Sequence, residues 1–281
     1  MTTTPLPTPL HSNDPRRLCA GLLLGAAMLA PLASHASAIL FIDDDRGQSG
    51  STTWLSTLAT LGHTVTYEAI SASGQPTSNL GLFDAVIWSN GDAAYDNLTA
   101  SNVTLLTSYL NGGGRLLYGG GHSVFSETQA QAFIQGYLGL GSYGSDMPTF
   151  MNCANTATAT GALGSVTLNC MSTGAYKDMM SGFNAVLPTA SDLLVLNAQN
   201  IMFHGGAQGT AIASINVAGN YRAATWGFDL NHVAAGQRAS VLASTLSALQ
   251  VTTQSVPEPG TLALGAVALF GLAATRRRQK V

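Results

Sequence analysis

The pattern of hydrophobic positions begins with an unbroken apolar run at residues 39–42, which leads directly into Asp43, Asp44 and Asp45. A short continuous apolar run is typical of a strand buried on both faces, and the abrupt change to carboxylates indicates where that strand leaves the core. We therefore predict that residues 39–42 form a central strand of an open α/β sheet. The functional crevice of such a sheet lies outside the carboxyl ends of its strands.

Strands and helices alternate after this run. Apolar or β-branched segments predict further strands at residues 64–70, 83–88 and 115–118. Between them, apolar residues at helical spacing predict helices that begin near Ser51 and Thr99, whose hydroxyl groups suit them to be N-cap residues. This alternation predicts an open, mainly parallel sheet with helices on both faces.

The alternation breaks between residues 139 and 180, a segment rich in Gly, Ser, Thr and Asn that also holds Cys153 and Cys170. We predict that this segment is a small β and loop insertion beside the sheet. In an oxidising compartment, two cysteines separated by a turn-rich segment are best explained by a disulfide bond between them. The alternative is that the two thiolates bind a metal ion.

The last part of the domain again shows strand and helix patterns. Strands are predicted at residues 193–196, 210–217 and 221–228, and a tight turn at Gly219 and Asn220 is expected to join the last two as a hairpin. A final helix is predicted at residues 234–249 because its leucines recur on one face.

The N-terminal end of the chain carries a secretory signal. Arg16 and Arg17 precede an apolar segment at residues 18–32, and the small residues of an Ala-Ser-Ala sequence follow at 36–38. This order of basic, apolar and small residues predicts a signal peptide at residues 1–38, which signal peptidase removes. A retained membrane anchor is the alternative, but the apolar segment is short for a membrane span.

The C-terminal end carries a second signal. Pro257, Glu258 and Pro259 precede an uncharged run at residues 261–275 and a basic cluster at residues 276–280. The arrangement resembles the PEP-CTERM sorting signal of Gram-negative bacteria. The resemblance implies that residues 253–281 are a sorting signal with a short transmembrane helix, recognised and cut by exosortase. A plain C-terminal anchor would give the same outward topology.

This resemblance has consequences for location. The precursor is expected to be anchored transiently in the inner membrane, and the mature protein is expected in the cell envelope, at the cell surface or in the extracellular matrix. Residues 39–256 hold five basic and twelve acidic side chains, a difference of seven negative charges. Nucleic acid is therefore excluded as a partner, because its binding depends on basic residues that neutralise phosphates.

The exported part of the chain also resembles a known family. The Asp-Asp-Asp sequence after the first strand, the Phe-Asp-Ala-Val-Ile-Trp segment at residues 83–88 and the Gly-Gly-Gly-Arg-Leu-Leu segment at residues 112–117 are similar to the class I glutamine amidotransferase-like fold. That fold is flavodoxin-like. The resemblance assigns residues 39–252 to one such domain and is strongest to exported members that carry no evident activity.

Active amidotransferases carry a cysteine nucleophile on the turn after the strand that corresponds to residues 115–118. This chain has Gly119, Gly120 and Gly121 there. A thiolate is the attacking group in that chemistry, and glycine cannot replace it. The resemblance therefore implies a binding or structural module without glutaminase activity.

An extracellular hydrolase is the alternative. Ser123 lies in the expected strand-to-helix turn, where it could act as a nucleophile with His232 as its base, and His122 is a second candidate at the same turn. The Gly-x-Ser-x-Gly signature of a nucleophile elbow is not met, because Phe125 replaces the second glycine. A serine that begins a helix is the ordinary explanation.

Carboxylates offer a second kind of site. Asp43, Asp44, Asp45, Asp92 and Asp229 are all expected near the carboxyl edge of the sheet, where they could bind calcium or magnesium or support a metal-assisted hydrolase. Because side chains alternate along a strand, Asp43 and Asp45 are expected on one side and Asp44 on the other. The ordinary explanation is that these residues cap helices and accept hydrogen bonds from loop amides.

Overall fold

The computed structural model of the protein describes most of the chain between the two targeting signals. Ala36–Thr253 forms one compact unit. The residues that the structure describes are 36–45, 47, 50–70, 74–91, 98–120, 130–141, 157–169, 184–197 and 211–251. Residues 1–35 of the predicted signal peptide, the predicted sorting segment 253–281 and the cysteines Cys153 and Cys170 lie outside these residues. Within the described ranges, no helix has the length and apolar character needed to cross a membrane.

In the described residues, nine strands form one sheet, in the order β2-β1-β3-β4-β9-β8-β7-β5-β6. The strands are β1 (Ala38–Asp43), β2 (Thr64–Ala69), β3 (Ala85–Gly91), β4 (Arg115–Gly120), β5 (Ala157–Gly161), β6 (Gly164–Leu168), β7 (Ala190–Leu196), β8 (Ala211–Ala218) and β9 (Tyr221–Trp226).

The first five strands in this order are all parallel. Strand β1 lies between β2 and β3, and its residues Ile39 to Ile42 are 0% or 1% exposed. The predicted α/β class, with an open sheet of flavodoxin-like order, is confirmed. Because β1, β3, β4 and β9 are parallel, their carboxyl ends reach the same edge of the sheet.

The other half of the sheet is antiparallel. Strand β9 pairs in parallel with β4 on one side and antiparallel with β8 on the other. The predicted hairpin is confirmed, because Ala218 pairs with Tyr221 across a two-residue turn in which Gly219 has φ +56°. The predicted β and loop insertion contains the hairpin β5–β6, which continues the same sheet and forms its far edge.

In the part of the chain that the structure describes, four α-helices cover the two faces of the sheet: α1 (Ser51–Thr60), α2 (Ala100–Asn111), α3 (Gln131–Phe133) and α4 (Arg238–Ala248). A π-helical turn, Ile134–Leu138, continues α3. Thr99 is confirmed as an N-cap, because its side chain accepts a hydrogen bond from the amide of Asn102. The prediction for Ser51 was wrong: Ser51 is the first helical residue, and Gly50 precedes it without a side-chain cap.

Apolar side chains form one core on each face of the sheet. The α1/α4 face packs Trp54 and Leu242 against β1, β3, β4 and β9, whereas the α2/α3 face packs Leu106 and Phe133 against the other side of the same strands. On the α1/α4 face, neighbouring aromatic rings stack with centroids 4.9 to 5.9 Å apart. In order these rings are Tyr67, Phe41, Trp54, Trp226 and Phe228.

Candidate functional site

The carboxyl ends of four parallel strands place a row of residues side by side. Asp43 is the register partner of Ser89, Ser89 of Gly119, and Gly119 of Trp226. The acidic end of β1 and the glycine end of β4 therefore meet at one edge, as the sequence predicts for the crevice of such a sheet. We call Asp43, Ser89, Gly119 and Trp226 the carboxyl-edge row.

Asp43 lies at the end of this row, beside the carboxylate of Asp45. The hydroxyl of Tyr67 donates to Asp43 Oδ2 at 2.8 Å, and the amide of Asp45 donates to Asp43 Oδ1 at 3.3 Å. Burial, followed by repulsion from the Asp45 carboxylate, raises the pKa of Asp43 from 3.8 to about 6, while the bond from Tyr67 opposes the rise. Asp43 and Asp45 interact directly, as the alternation of side chains predicts for residues on one side.

The raised pKa of Asp43 predicts how stability depends on pH. Between pH 4 and 6 the folded state retains a proton on Asp43 that the unfolded state has lost, so the free energy of unfolding falls as the pH rises through this window. For this buried carboxyl group, whose charged form still accepts the hydrogen bond from Tyr67, we expect this contribution to be about 1 to 2 kcal/mol. In Asp43→Asn the decrease between pH 4 and pH 8 should shrink by that amount, measured by urea unfolding at each pH.

A second variant gives the opposite change. In Tyr67→Phe the hydrogen bond that lowers the pKa of Asp43 is removed, so the decrease in stability should extend to higher pH. Equal pH dependence in wild type, Asp43→Asn and Tyr67→Phe would contradict the assignment of this titration to Asp43.

Asp229 occupies the buried end of the crevice, where it accepts four hydrogen bonds. Its Oδ2 accepts from Trp54 Nε1 at 2.9 Å and from Ser89 Oγ at 3.2 Å. Its Oδ1 accepts from the amide and from the side chain of Asn231, at 2.8 and 2.6 Å. Asp229 is 0% exposed, so this carboxylate is surrounded by protein donors and ties α1, β3 and the segment after β9 together.

His232 closes a capping box with Asp229. The amide of Asp229 donates to His232 Nδ1 at 3.0 Å, and Asp229 begins the short helical turn Leu230–His232. His232 is 1% exposed. His232 was a candidate catalytic base. In the structure its Nδ1 accepts a backbone hydrogen bond and so helps to fix the turn at Asp229.

Asp44 turns to the other face of the sheet, as the alternation predicts. Its Oδ2 accepts from the indole of Trp88 at 3.1 Å, and its amide donates to the carbonyl of Ser89 at 2.8 Å. On the same face, Asn90 donates to the hydroxyl of Tyr118 at 2.8 Å. Because Asp44 is 0% exposed and bonded to Trp88, it lies apart from the pair formed by Asp43 and Asp45.

Several predicted site residues lie outside the described part of the chain, namely Asp92, His122 and Ser123. Within the described ranges, no group of three or more His, Cys, Asp or Glu side chains is arranged to hold a metal ion. A calcium or magnesium site at Asp43 and Asp45 stays a prediction.

Two glycines occupy the end of β4, where the family resemblance places the nucleophile. A Cβ atom built on Gly120 would lie 2.7 Å from the carbonyl oxygen of Gly91 and 3.0 Å from Cβ of Asn90. Gly120 also has φ +146°, which side-chain-bearing residues rarely adopt. At Gly119 the added atom would lie 3.2 Å from Cβ of Trp226. The backbone around Gly120 is thus packed too closely for any side chain.

Sequence reasoning missed the uncharged partners of the carboxylates. Strand β3 was predicted to end at Trp88, but it continues through Gly91 and buries Ser89 and Asn90. The signal was the polar pair directly after a buried strand, which marks positions whose groups must find partners inside the protein. Tyr67 and Trp54 were assigned only to a strand and a helix.

The C-terminal signal is found independently in a family comparison. The model of the PEP-CTERM protein-sorting motif matches residues 255–278, which include Pro257, Glu258 and Pro259. Residues 255–278 are a PEP-CTERM protein-sorting motif. This sorting motif indicates an exported protein of the cell envelope that exosortase processes. The prediction made from the C-terminal residues is confirmed to this extent.

Other comparisons concern the domain. Comparison with curated protein sequences finds no match. Similar solved structures include the exo-β-1,4-mannosidase Op5Man5 from Opitutaceae bacterium strain TAV5, with TM-score 0.48 and 14% identity over 84% of this chain and 39% of that chain. A protein from Thermoplasma acidophilum that is described as a GMP synthase subunit has TM-score 0.48 and 10% identity over 77% of this chain and 96% of that chain.

A third similar structure is PurLQS from Thermotoga maritima, with TM-score 0.44 and 10% identity over 76% of this chain and 100% of that chain. The present chain spans well under half the length of the mannosidase. At such identities and TM-scores, these similarities carry no conclusion about activity.

Proposed function

We propose that this protein is an exosortase-sorted protein of the cell surface or extracellular matrix, whose α/β domain is a non-catalytic binding or structural module. The observation that carries this proposal is the close packing around Gly120. An added Cβ would lie 2.7 Å from a backbone oxygen there, so Gly120, one of the three glycines at the turn where the resemblance places the amidotransferase nucleophile, excludes a side chain. Nucleophilic attack by an enzyme group requires a side-chain sulfur or oxygen.

The strand order supports kinship with the glutamine amidotransferase-like fold. Five parallel strands follow the order β2-β1-β3-β4-β9, and the glycine end of β4 lies between β3 and β9 at the edge used by ligands in open α/β sheets. The buried partners of Asp229 and Asp44 support a structural role for most of the acidic residues there. The pair Asp43 and Asp45, which are 7% and 3% exposed, remains the acidic part of this edge with which a ligand could interact.

The export route follows from the two targeting signals. Signal peptidase would remove residues 1–38, and the short apolar run before the basic residues 276–280 would hold the precursor in the inner membrane of a Gram-negative bacterium until exosortase acts. The match of the sorting motif to residues 255–278 supports this route.

One observation favours a hydrolase as a second candidate. A carboxyl group that titrates near pH 6 beside another carboxylate can act as an acid or base, and perturbed pKa values of this kind cluster at functional sites. In this candidate function Asp43 and Asp45 would bind calcium or magnesium or transfer a proton, with Ser123, His122 or His232 as the nucleophile and its base.

The two candidates are separated by an activity screen. The compact unit Ala36–Thr253 would be incubated with ester, amide and glycosidic substrates, with and without calcium or magnesium. We expect no turnover above a matched preparation of Asp43→Asn. Turnover that Asp43→Asn or Ser123→Ala abolishes would contradict the non-catalytic proposal, provided that Asp192→Asn, which changes an exposed carboxylate on β7, retains it. A rise in melting temperature with calcium that Asp43→Asn removes would identify a metal-dependent binding module.

A further inference from the structure

The two edge strands of the sheet, β6 and β2, differ in how far other described residues cover their outer sides. The outer side of β6 is covered by the segment between β9 and α4. The amide of Thr167 donates to the side chain of Gln237, and its carbonyl accepts from the amide of Ala234. Gln237 also donates to the carbonyl of Ser165, and the amide of Asn169 donates to the carbonyl of His232. This edge therefore offers few backbone groups to another strand.

The edge formed by β2 has no such cover among the described residues. Thr64 and Ile70 direct their amides to carbonyls of the β1 side, those of Ser37 and Asp43. Because backbone groups alternate in direction along a strand, the amides and carbonyls of Val65, Tyr67 and Ala69 lie on the outer edge. No described backbone group bonds to these three residues from outside the sheet.

Apart from the charge of Glu68, strand β2 also lacks the common devices by which natural proteins protect an edge. Its sequence, Thr-Val-Thr-Tyr-Glu-Ala, contains no lysine and no proline, and all six residues pair with β1 without a bulge. In helix α1, Trp54 stacks on Phe41 and Trp226. Tyr67 keeps 43% of its surface exposed.

We propose that the outer edge of β2 pairs antiparallel with β2 of a second copy of this chain. The pairing is self-complementary when Tyr67 lies opposite the partner's Tyr67. Val65 then lies opposite the partner's Ala69, and each of these pairs exchanges two backbone hydrogen bonds. Such an arrangement has two-fold symmetry, which is the commonest symmetry of protein dimers.

The side chains of β2 suit this register. On the α1/α4 face, the exposed ring of Tyr67 meets the partner's Tyr67, and on the other face Thr66 meets the partner's Glu68. No two like charges lie directly opposite each other, and the Glu68 carboxylate is already held by the amides of Thr77 and Ser78, at 2.7 and 3.0 Å. Aromatic pairs of this kind stabilise neighbouring antiparallel strands.

The first test is the oligomeric state of Ala36–Thr253, which contains both cores and the whole sheet. An interface built from one strand is small, so we expect a dimer that dissociates on dilution in sedimentation velocity. Ala69→Pro removes an outward amide without breaking a bond to β1 and should give a monomer. Ala69→Ser retains the amide and should still form the dimer. A monomeric wild type, or a dimer unaffected by Ala69→Pro, would overturn the proposal.

A cross-linking experiment tests the register and does not depend on Ala69→Pro folding. Directly opposed residues that exchange backbone bonds have Cα atoms about 5.5 Å apart, which a disulfide can span. Tyr67→Cys should therefore form a covalent dimer on mild oxidation, whereas Thr66→Cys, whose opposite residue is the partner's Glu68, should form much less. The unsubstituted protein gives the background from Cys153 and Cys170. Equal cross-linking of both variants would overturn the proposed register.

Discussion

Replacing Gly120 with alanine is expected to lower the free energy of unfolding by about 3 kcal/mol. The added Cβ would lie 2.7 Å from the carbonyl oxygen of Gly91, and both partners are backbone groups of paired strands that cannot move independently. The φ of +146° adds conformational strain for any residue with a side chain. Urea unfolding of wild type and Gly120→Ala, followed by tryptophan fluorescence, measures the difference.

Gly120→Cys extends this prediction to function. The variant supplies a thiol at the turn where the resemblance places the amidotransferase nucleophile, but the same backbone contacts oppose it. We expect it to be at least as destabilised as Gly120→Ala and to hydrolyse no glutamine. A Gly120→Cys protein with native stability and glutaminase activity would contradict both the packing argument and the proposed loss of catalysis.

Gly136→Ala is the matched control. Gly136 lies in the helical turn after α3, and a Cβ added there would meet no atom within 4 Å. Alanine is the better helix former, so this substitution should be neutral or stabilise the protein by about 0.5 kcal/mol. A loss at Gly136 as large as that at Gly120 would show that the effect does not depend on local space.

The parallel half of the fold could be predicted because its signals are local. The buried run of β1 and the apolar positions of α1 and α2 each reveal an element without knowledge of the rest of the chain. The same period of two along β1 separates Asp43 from Asp44, and the structure places them on opposite faces. The hairpin between β8 and β9 could also be predicted from local sequence, because a Gly-Asn pair between two strand patterns indicates a tight turn.

The pairing of β5, β6 and β7 in the antiparallel part of the sheet could not be predicted from local sequence patterns. The hairpin β5–β6 turns at Ala162 and Leu163, which lack the Asn-Gly or Asp-Gly signature of a two-residue turn. Its Thr-Ala-Thr-Ala-Thr sequence alternates, and the segment was predicted only as a small β and loop insertion without strand positions. That β5 then pairs with β7 depends on contacts between distant parts of the chain, which no local pattern reveals.

The polar contacts of the crevice depend on sheet order as well. Ser89 and Asp229 are 140 positions apart in sequence, and they meet because β9 enters the sheet beside β4. Sequence reasoning could place Asp229 near the carboxyl edge but could not identify its donors, Trp54, Ser89 and Asn231. Knowledge of these donors changes the interpretation of Asp229 from a candidate metal ligand to a buried acceptor.

Asp229→Asn is expected to lower the free energy of unfolding by about 3 kcal/mol. The asparagine side chain has the same shape as the carboxylate but only one acceptor oxygen. Its NH2 group would therefore face donors that now bond to the second carboxylate oxygen. Either Trp54 and Ser89 or the two donors of Asn231 would lose their acceptor. Because the site is fully buried, water cannot replace the lost bonds without opening the structure.

A double-mutant cycle identifies the network as the cause. Trp54→Phe removes one donor while keeping an aromatic ring against Phe41 and Trp226, so it should destabilise the protein less than Asp229→Asn does. The two changes together should cost less than their sum, by about 1 kcal/mol, because they remove the same hydrogen bond. Asp192→Asn on the exposed part of β7 should change stability by less than about 0.5 kcal/mol. If Asp229→Asn proved as mild as Asp192→Asn, the Asp229 carboxylate would be free to serve a ligand, and its structural role would have to be abandoned.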